Sequence, residues 1–376
     1  MKGLFIRLFT PPAEKRVFGL DFLRALAILA VLLTHGDLIL GLGQRGGRTW
    51  FSTATGLAGS LGVELFFVLS GFLIGSILLA LEPKFHRLQI LPYFWQRRWF
   101  RTLPNYYFFL LLYIAATLVL AKPLPNLLEF ATFTQNWLWP HPKFFDQAWS
   151  LAVEEWFYLL FPLSLFIFYR LTRNFDAAFL LSAGLFILLP TAIRFDWAAA
   201  GLGDWSEQFR KVMFVRLDAI MYGVLAAWAK RKYSAFWERA RFPLLGAGIL
   251  LLFAVWGHAF TQDFTTSIFN RTLLFSFTSL GFALMLPTCD GWETRRETFA
   301  SAAIRLIAVW SYSLYLSNFL LVQVLTNLME AIGPMPRAAN LGFLAFYLVS
   351  SLLVSALLYT FLERPAMQLR ERLPKV

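Results

Sequence analysis

Apolar stretches close to the length of a bilayer span recur along this chain from end to end, and that recurrence limits its possible folds more than any other feature. A helix rises 1.5 Å per residue, so about 20 apolar residues cross the ~30 Å hydrocarbon core. Hydropathy marks spans at roughly 20–42, 60–81, 103–121, 150–169, 177–194, 211–229, 243–260, 271–288, 306–328 and 340–362. They predict an all-α integral membrane protein of about ten transmembrane helices. A chain that is 58% apolar and 15% charged carries more apolar surface than one soluble core can hide, so lipid must be its main solvent. The expected organisation is an N-terminal segment over 1–19, a membrane domain over 20–362 and a tail over 363–376.

The formal charge of +12 raises nucleic acid as a partner, and the position of the charge excludes it. Lysine and arginine sit mainly in alternate loops, on the side of both termini, which the positive-inside rule places in the cytoplasm. Membrane lipids are therefore the expected surroundings. The segment Met1–Gly19 is basic and has no apolar stretch of its own, so the first helix is expected to be an uncleaved anchor. A single cysteine, Cys289, forbids an intrachain disulfide, and His35, His86, His141 and His258 lie too far apart for a local metal-ligand motif. No metal site is expected.

Charged groups at bilayer depth cost at least ~2.5 kcal/mol, so each one asks for a reason. The first span carries Arg24 and His35. Eleven residues at 100° each leave them about 20° apart around the helix and about 16 Å apart along it, on one face but out of contact. Arg24 can snorkel or pair with Asp21, and His35 can be a hydrogen-bonded packing residue. The predicted topology, however, puts His35 in the outer half with Glu64, Glu154, Glu155, Arg216 and Asp218 at a similar depth. Such a set suits a general base with an orienting acid and an electrostatic clamp, or equally a proton relay in a transporter or flippase. On the inner side, Arg98 and Arg101 share one face of a helical turn and can grip a phosphate, or simply obey the positive-inside rule. Between 133 and 149, Trp137, Trp139, Phe144, Phe145 and Trp149 form either an interfacial belt or a surface on which a sugar stacks.

Several ordered blocks resemble the acyltransferase type 3 membrane enzymes, which O-acylate surface polysaccharides and some small molecules. They are Gly19-Leu-Asp-Phe-Leu-Arg-Ala-Leu-Ala with Thr34-His35, Gly62-Val-Glu-Leu-Phe-Phe-Val-Leu-Ser-Gly, Arg97-Arg98-Trp-Phe-Arg101-Thr-Leu-Pro104 and Trp149-Ser-Leu-Ala-Val-Glu-Glu-Trp-Phe-Tyr. Arg216-Leu-Asp218, Ser311-Tyr-Ser-Leu-Tyr315 and Glu363-Arg-Pro365 continue the order.

The resemblance implies a bacterial cytoplasmic-membrane enzyme. It would move an acetyl or other short acyl group from cytoplasmic acetyl-CoA, a substrate rather than a bound cofactor, to a glycan or lipid-linked glycan outside. A small secreted metabolite is the alternative acceptor. Arg24 and His35 would be essential, and Arg98, Arg101 and Arg24 would serve the donor. His35 would be the base, oriented by Glu64 or Glu154, with Arg216 or Asn318 at the oxyanion. Glu155, Asp218, Trp149 and Tyr312 would line the acceptor side.

Two positions depart from the family pattern: Asn318 stands where a histidine is usual, and Glu64 where aspartate is common. Many relatives carry an extra esterase-like domain after the last helix. This chain ends at Val376, so the expectation is that it finishes the transfer alone or with a separate periplasmic partner.

Overall fold

The computed structural model describes residues 16–41, 50–294, 296–333 and 335–371. The expected N-terminal segment up to residue 15, the loop over 42–49 and the tail beyond 371 lie outside the described residues. Helices dominate, and no strand occurs among the described residues. The long helices are α1 Phe18–Leu40, α2 Trp50–Ala80, α3 Ile90–Val119, α4 Ala148–Thr172 and α5 Phe175–Ala199. They continue with α6 Leu217–Lys232, α7 Arg241–Phe260, α8 Leu273–Asp290, α9 Phe299–Ile332 and α10 Arg337–Leu358. Nine of them, all but α6, are long and apolar enough to cross a membrane. The chain is a multi-pass membrane protein.

Two elements differ from the hydropathy reading. The stretch expected to be a loop up to Thr102 is helical from Ile90, so Arg97, Arg98 and Arg101 lie inside α3. Leu91, Tyr93, Phe94, Trp95, Trp99 and Phe100 supply apolar surface throughout that stretch, and only the interspersed arginines lower its mean hydropathy. The span expected over 211–229 is instead the 16-residue α6, preceded by a π-turn over Trp205–Arg210. Sixteen residues cover only about 24 Å.

Even so, α6 runs the length of α5. Its start is tied to the end of α5 by Arg194–Asp218, and its end to the start of α5 by Lys232–Asp176. The last span is drawn out in a similar irregular way. After α10 the chain passes through a π-turn, Tyr359–Glu363, into Arg364–Arg370. Pro365 has no N–H for the carbonyl four residues back and its ring crowds that carbonyl, which accounts for the widened turn.

The chain divides into two compact units. Among the described residues, unit 1 comprises those up to Phe66, Phe100–Phe109 and those from Trp292 on; unit 2 comprises Phe67–Trp99 and Leu110–Gly291.

In unit 1, α1 lies beside α9 and α10. Asp21 reaches Arg305 and His35 reaches Asn318, so α1 and α9 run parallel over about 20 Å. A capping box of Thr298 and Ser301 starts α9, and Gly41 ends α1 in the left-handed region (φ 64°) that glycine adopts without strain.

In unit 2, α2 and α6 touch backbone to backbone. A Cβ on Gly71 would strike the Ile220 carbonyl, and one on Gly223 the Val68 carbonyl. Only glycine permits that approach.

Candidate active site

In unit 1, His35 is half-buried near the C-terminal end of α1, with the Phe319 ring 4.9 Å away. Its Nδ1 bonds Asn318 Oδ1. Asn318 is wholly buried, and its Nδ2 donates to the carbonyls of Leu314 (2.6 Å) and Tyr315 (2.8 Å). Those two bonds use both amide hydrogens and fix which way the amide faces. Its Oδ1 can only accept, so Nδ1 of the neutral imidazole carries the proton and Nε2 carries the lone pair.

Fourteen residues earlier on α1, Asp21 is 1% exposed and receives three guanidinium groups. Arg16 bonds it at 2.7 Å, Arg24 at 3.4 Å and Arg305 lies at 3.7 Å. Arg24 therefore pairs with Asp21 one turn back. Arg305 also donates to the Arg16 carbonyl and to Thr294, stitching the start of α1 to the segment before α9.

Arg101 stands within electrostatic range of Arg24 and of Glu363. Glu363, on the π-turn, accepts from Ser313 (2.9 Å) and Asn105 (3.4 Å). Tyr312 donates to the Thr102 carbonyl at 2.7 Å, beside the same arginine motif. Glu64 is buried in α2, at 4% exposure.

In unit 2, Glu154 accepts from Ser70 (2.9 Å) and from Tyr158 (3.1 Å). The Arg98 guanidinium lies over the Tyr158 ring, 4.4 Å from its centre, and Trp95 donates to the Tyr158 carbonyl. Arg98 is thus packed on an aromatic face inside the helix layer, not held out in a loop. Glu155, next along α4, is buried at 9% exposure.

Trp149 is buried against Phe67, with the Arg210 guanidinium 5.1 Å from its ring centre. Phe145 is also buried and stacks on Tyr113, whereas Trp139 is 42% exposed. The aromatic segment is thus mostly folded inward. It contains His141, buried against the edge of Phe130, whose pKa burial pushes down to about 3, with the Lys211 charge helping.

At the junction of α5 and α6, Arg194, Arg216 and Asp218 are each fully buried. Arg194 grips Asp218 with both ends of its fork, at 2.9 and 2.7 Å, and Ser276 donates to the same carboxylate at 2.8 Å. Arg216 rests 4.0 Å over the centre of Phe275. An apolar groove of about 250 Å³ between α4 and α5, bordered by Phe214 and Leu217, holds no ionisable side chain.

The residues absent from the sequence-based list are Arg194, Tyr158, Ser70 and Ser276. Arg194 could have been found as a charge in an apolar span. Ser70 and Tyr158 lie inside blocks that resemble the family, although nothing there singles them out, and Ser276 carries no signal.

The family model for the acyltransferase domain matches residues 17–360, nearly the whole chain. The chain belongs to the acyltransferase type 3 family. Its relatives include the peptidoglycan O-acetyltransferase OatA of Listeria monocytogenes, 27% identical over 372 residues, which cover 94% of this chain and 56% of the relative. They also include the O-acetyltransferase OatA of Staphylococcus aureus, 30% identical over 46% of this chain and 29% of the relative. A putative O-acetyltransferase of the same species is 34% identical over 39% of this chain and 24% of its own length. The chain spans little more than half the length of the longest-matching of these relatives. No solved structure matches it.

The family's blocks sort between the units. The first-helix arginine and histidine, the serine–tyrosine block of α9 and Glu363 fall in unit 1. The tryptophan block of α4 and Arg216–Asp218 fall in unit 2.

Proposed function

We propose that this protein is an O-acetyltransferase that takes an acetyl group from acyl-CoA on the cytoplasmic side and places it on a hydroxyl of a cell-wall glycan outside. The family and the names of the relatives support the reaction class and the acceptor class. The observation that carries the chemistry is the His35–Asn318 bond.

With the proton held on Nδ1, Nε2 is the basic nitrogen. It takes the proton of the acceptor hydroxyl as the oxygen attacks the thioester carbonyl. When the C–S bond breaks, Nε2–H returns the proton to the thiolate, leaving the acetyl ester and free CoA. Asn318 has committed both its donors to Leu314 and Tyr315, so its part is to orient the imidazole. Arg216 keeps a part in the transfer through its family block, Arg216-Leu-Asp218. Arg24, Arg98 and Arg101 serve the anionic donor, with Tyr312 bonded to Thr102 of the same arginine motif, and Trp149 and Glu155 belong to the acceptor side.

A ten-crossing topology with both termini inside accompanies this reading. Because α1 and α9 run parallel, an odd number of crossings must separate them. Helices α2 to α8 supply seven only if the short α6 is counted as one.

The test uses the purified full chain, radiolabelled acetyl-CoA and a peptidoglycan fragment. Label on the glycan hydroxyl, lost in His35→Ala, is the expected result. A wild type that leaves the glycan unlabelled under conditions in which it binds acetyl-CoA overturns the proposal.

A further inference from the structure

We infer that Arg194 is a positioning residue for Arg216, locking the α5–α6 junction so that the second guanidinium is held on Phe275. This rests on the proposed part of Arg216 in acetyl transfer. Arg194 lies in α5, wholly buried, and its bonds fall on both sides of Arg216 in the chain. Nη1 donates to the Val215 carbonyl at 2.6 Å, immediately before Arg216, and to Asp218 at 2.9 Å, two residues after it. Nη2 reaches Asp218 again at 2.7 Å, Ser276 at 2.8 Å and Thr191 at 3.0 Å. Ser276 is the neighbour of Phe275, the ring on which Arg216 lies. One guanidinium therefore ties down the residue before Arg216, the first turn of the helix after it, and the strip of α8 beneath it.

Arg216 itself sits at the N-cap of α6, with φ −124° and ψ 0°, outside the helix proper. On the preceding side its N–H makes a single turn bond to the Met213 carbonyl at 3.0 Å and no helical ladder, so the clamp adds the side-chain ties that hold this junction.

A planar fork is required for this set of contacts. Lysine would keep the charge and make a point contact instead, leaving the Val215 carbonyl or one Asp218 oxygen without its donor. Asp218, expected at the acceptor, is on this view the keystone of the clamp. Its carboxylate is engaged by Arg194 and Ser276 in a site with no exposure to solvent.

The test has two independent readouts on the full chain in detergent. The first is labelling of Arg216 by an arginine-specific dicarbonyl, followed by peptide mass spectrometry. Arg194→Lys is expected to speed Arg216 labelling roughly tenfold by loosening the junction. The second is a kinetic double-mutant cycle. Arg194→Lys should lower kcat about tenfold with KM for acetyl-CoA unchanged, and the double variant with Arg216→Lys should be no slower than Arg216→Lys alone, because both act through one group. Should Arg194→Lys not yield folded protein, Ser276→Ala, which removes one strut and no charge, is expected to give the same pattern at about threefold.

Unchanged labelling of Arg216 in the folded variant, or kcat losses that multiply, overturns the inference. A wild type that transfers no acetyl sinks the acyltransfer reading instead, and the labelling still decides the clamp.

Discussion

Two histidines in this protein, half-buried His35 in the seam between α1 and α9 and buried His141 in the segment before α4, meet opposite surroundings. His35 faces an amide whose own donors are fixed, so its protons are assigned by its neighbour. His141 lies against the edge of Phe130, and its ring nitrogens have no well-formed hydrogen bond among the described residues, only the Pro142 carbonyl standing near. An imidazole with an oriented partner is set to exchange a proton at its other nitrogen. One packed among rings behaves as a flat, apolar-like filler with an unmet polar cost. The family's opening block contains the first and none of its quoted blocks contains the second, in line with that difference.

The largest effect belongs to His35. Replacing it with alanine should lower the rate of acetyl transfer by about 10²–10⁴, the usual contribution of a positioned base, while donor binding stays within about twofold. Retention of more than a tenth of wild-type kcat in a quantified membrane preparation would remove His35 from the chemistry.

The ionic counterpart in unit 2 is expected to show in stability more than in rate. Asp218→Ala leaves Arg194 buried beside no carboxylate and should cost about 3–5 kcal/mol. Thermal unfolding in detergent reads this. A double change to Arg194→Met and Asp218→Leu should recover most of the loss, because two well-packed apolar residues replace a desolvated pair. If the double variant is as unstable as Asp218→Ala, the loss comes from packing and not from an unpaired charge.

A smaller effect is expected at the partner of His35. Asn318→Ala removes the acceptor at Nδ1 and frees the imidazole to turn and change tautomer, without deleting the base. A fall in kcat of about 10- to 100-fold is expected, with KM for the donor unmoved. Asn318→Asp, which keeps an acceptor in the same place, should lie closer to wild type than alanine does. Equal activity of wild type and Asn318→Ala would break the contrast between the two histidines.

Much of this architecture is legible in the sequence because lipid imposes one rule, long apolar helices, on nearly every element. The errors fall where polar residues interrupt that rule for a purpose. Arg97, Arg98 and Arg101 lowered the hydropathy of a helix that begins at Ile90. The irregular stretch over 211–216 was absorbed into a span that starts only at Leu217.

The site residues were marked one at a time, as charges in lipid or as parts of family blocks, but their partners were not. Asn318 stood out as a departure from the family pattern, and its contact with His35 joins residues 283 positions apart. No periodicity encodes that contact; it follows from α1 and α9 running parallel. Arg194 could have been marked as a charge in an apolar span, but its meaning depended on Asp218 and Ser276 arriving from two other helices. The carboxylates expected to orient His35 are a comparable case. Glu154 has Ser70 and Tyr158 as partners in unit 2, and the amide of Asn318 takes Nδ1 in unit 1.

The smallest effect concerns His141, and pH makes it measurable. Burial, with the Lys211 charge helping and only the Pro142 carbonyl opposing, lowers its pKa from 6.5 to about 3. The unfolded chain therefore binds a proton near pH 6.5 that the folded chain refuses until near pH 3. Between those values the unfolded state holds more protons, so stability falls as pH falls, by at most ~1.4 kcal/mol per pH unit from this group. Above pH 7 the ring is neutral in both states and contributes no slope.

His141→Leu should abolish that portion of the acid slope between about pH 6 and 4, where the protein remains folded. At pH 7.5 the same change should leave stability within about 1 kcal/mol of wild type or raise it, since no well-formed hydrogen bond is lost. A loss above ~2 kcal/mol at pH 7.5 would mean that the ring nitrogens are engaged after all, because only a partnered histidine has that much to lose. His141 and His35 would then differ in degree only, and the partner rule drawn from them would fail.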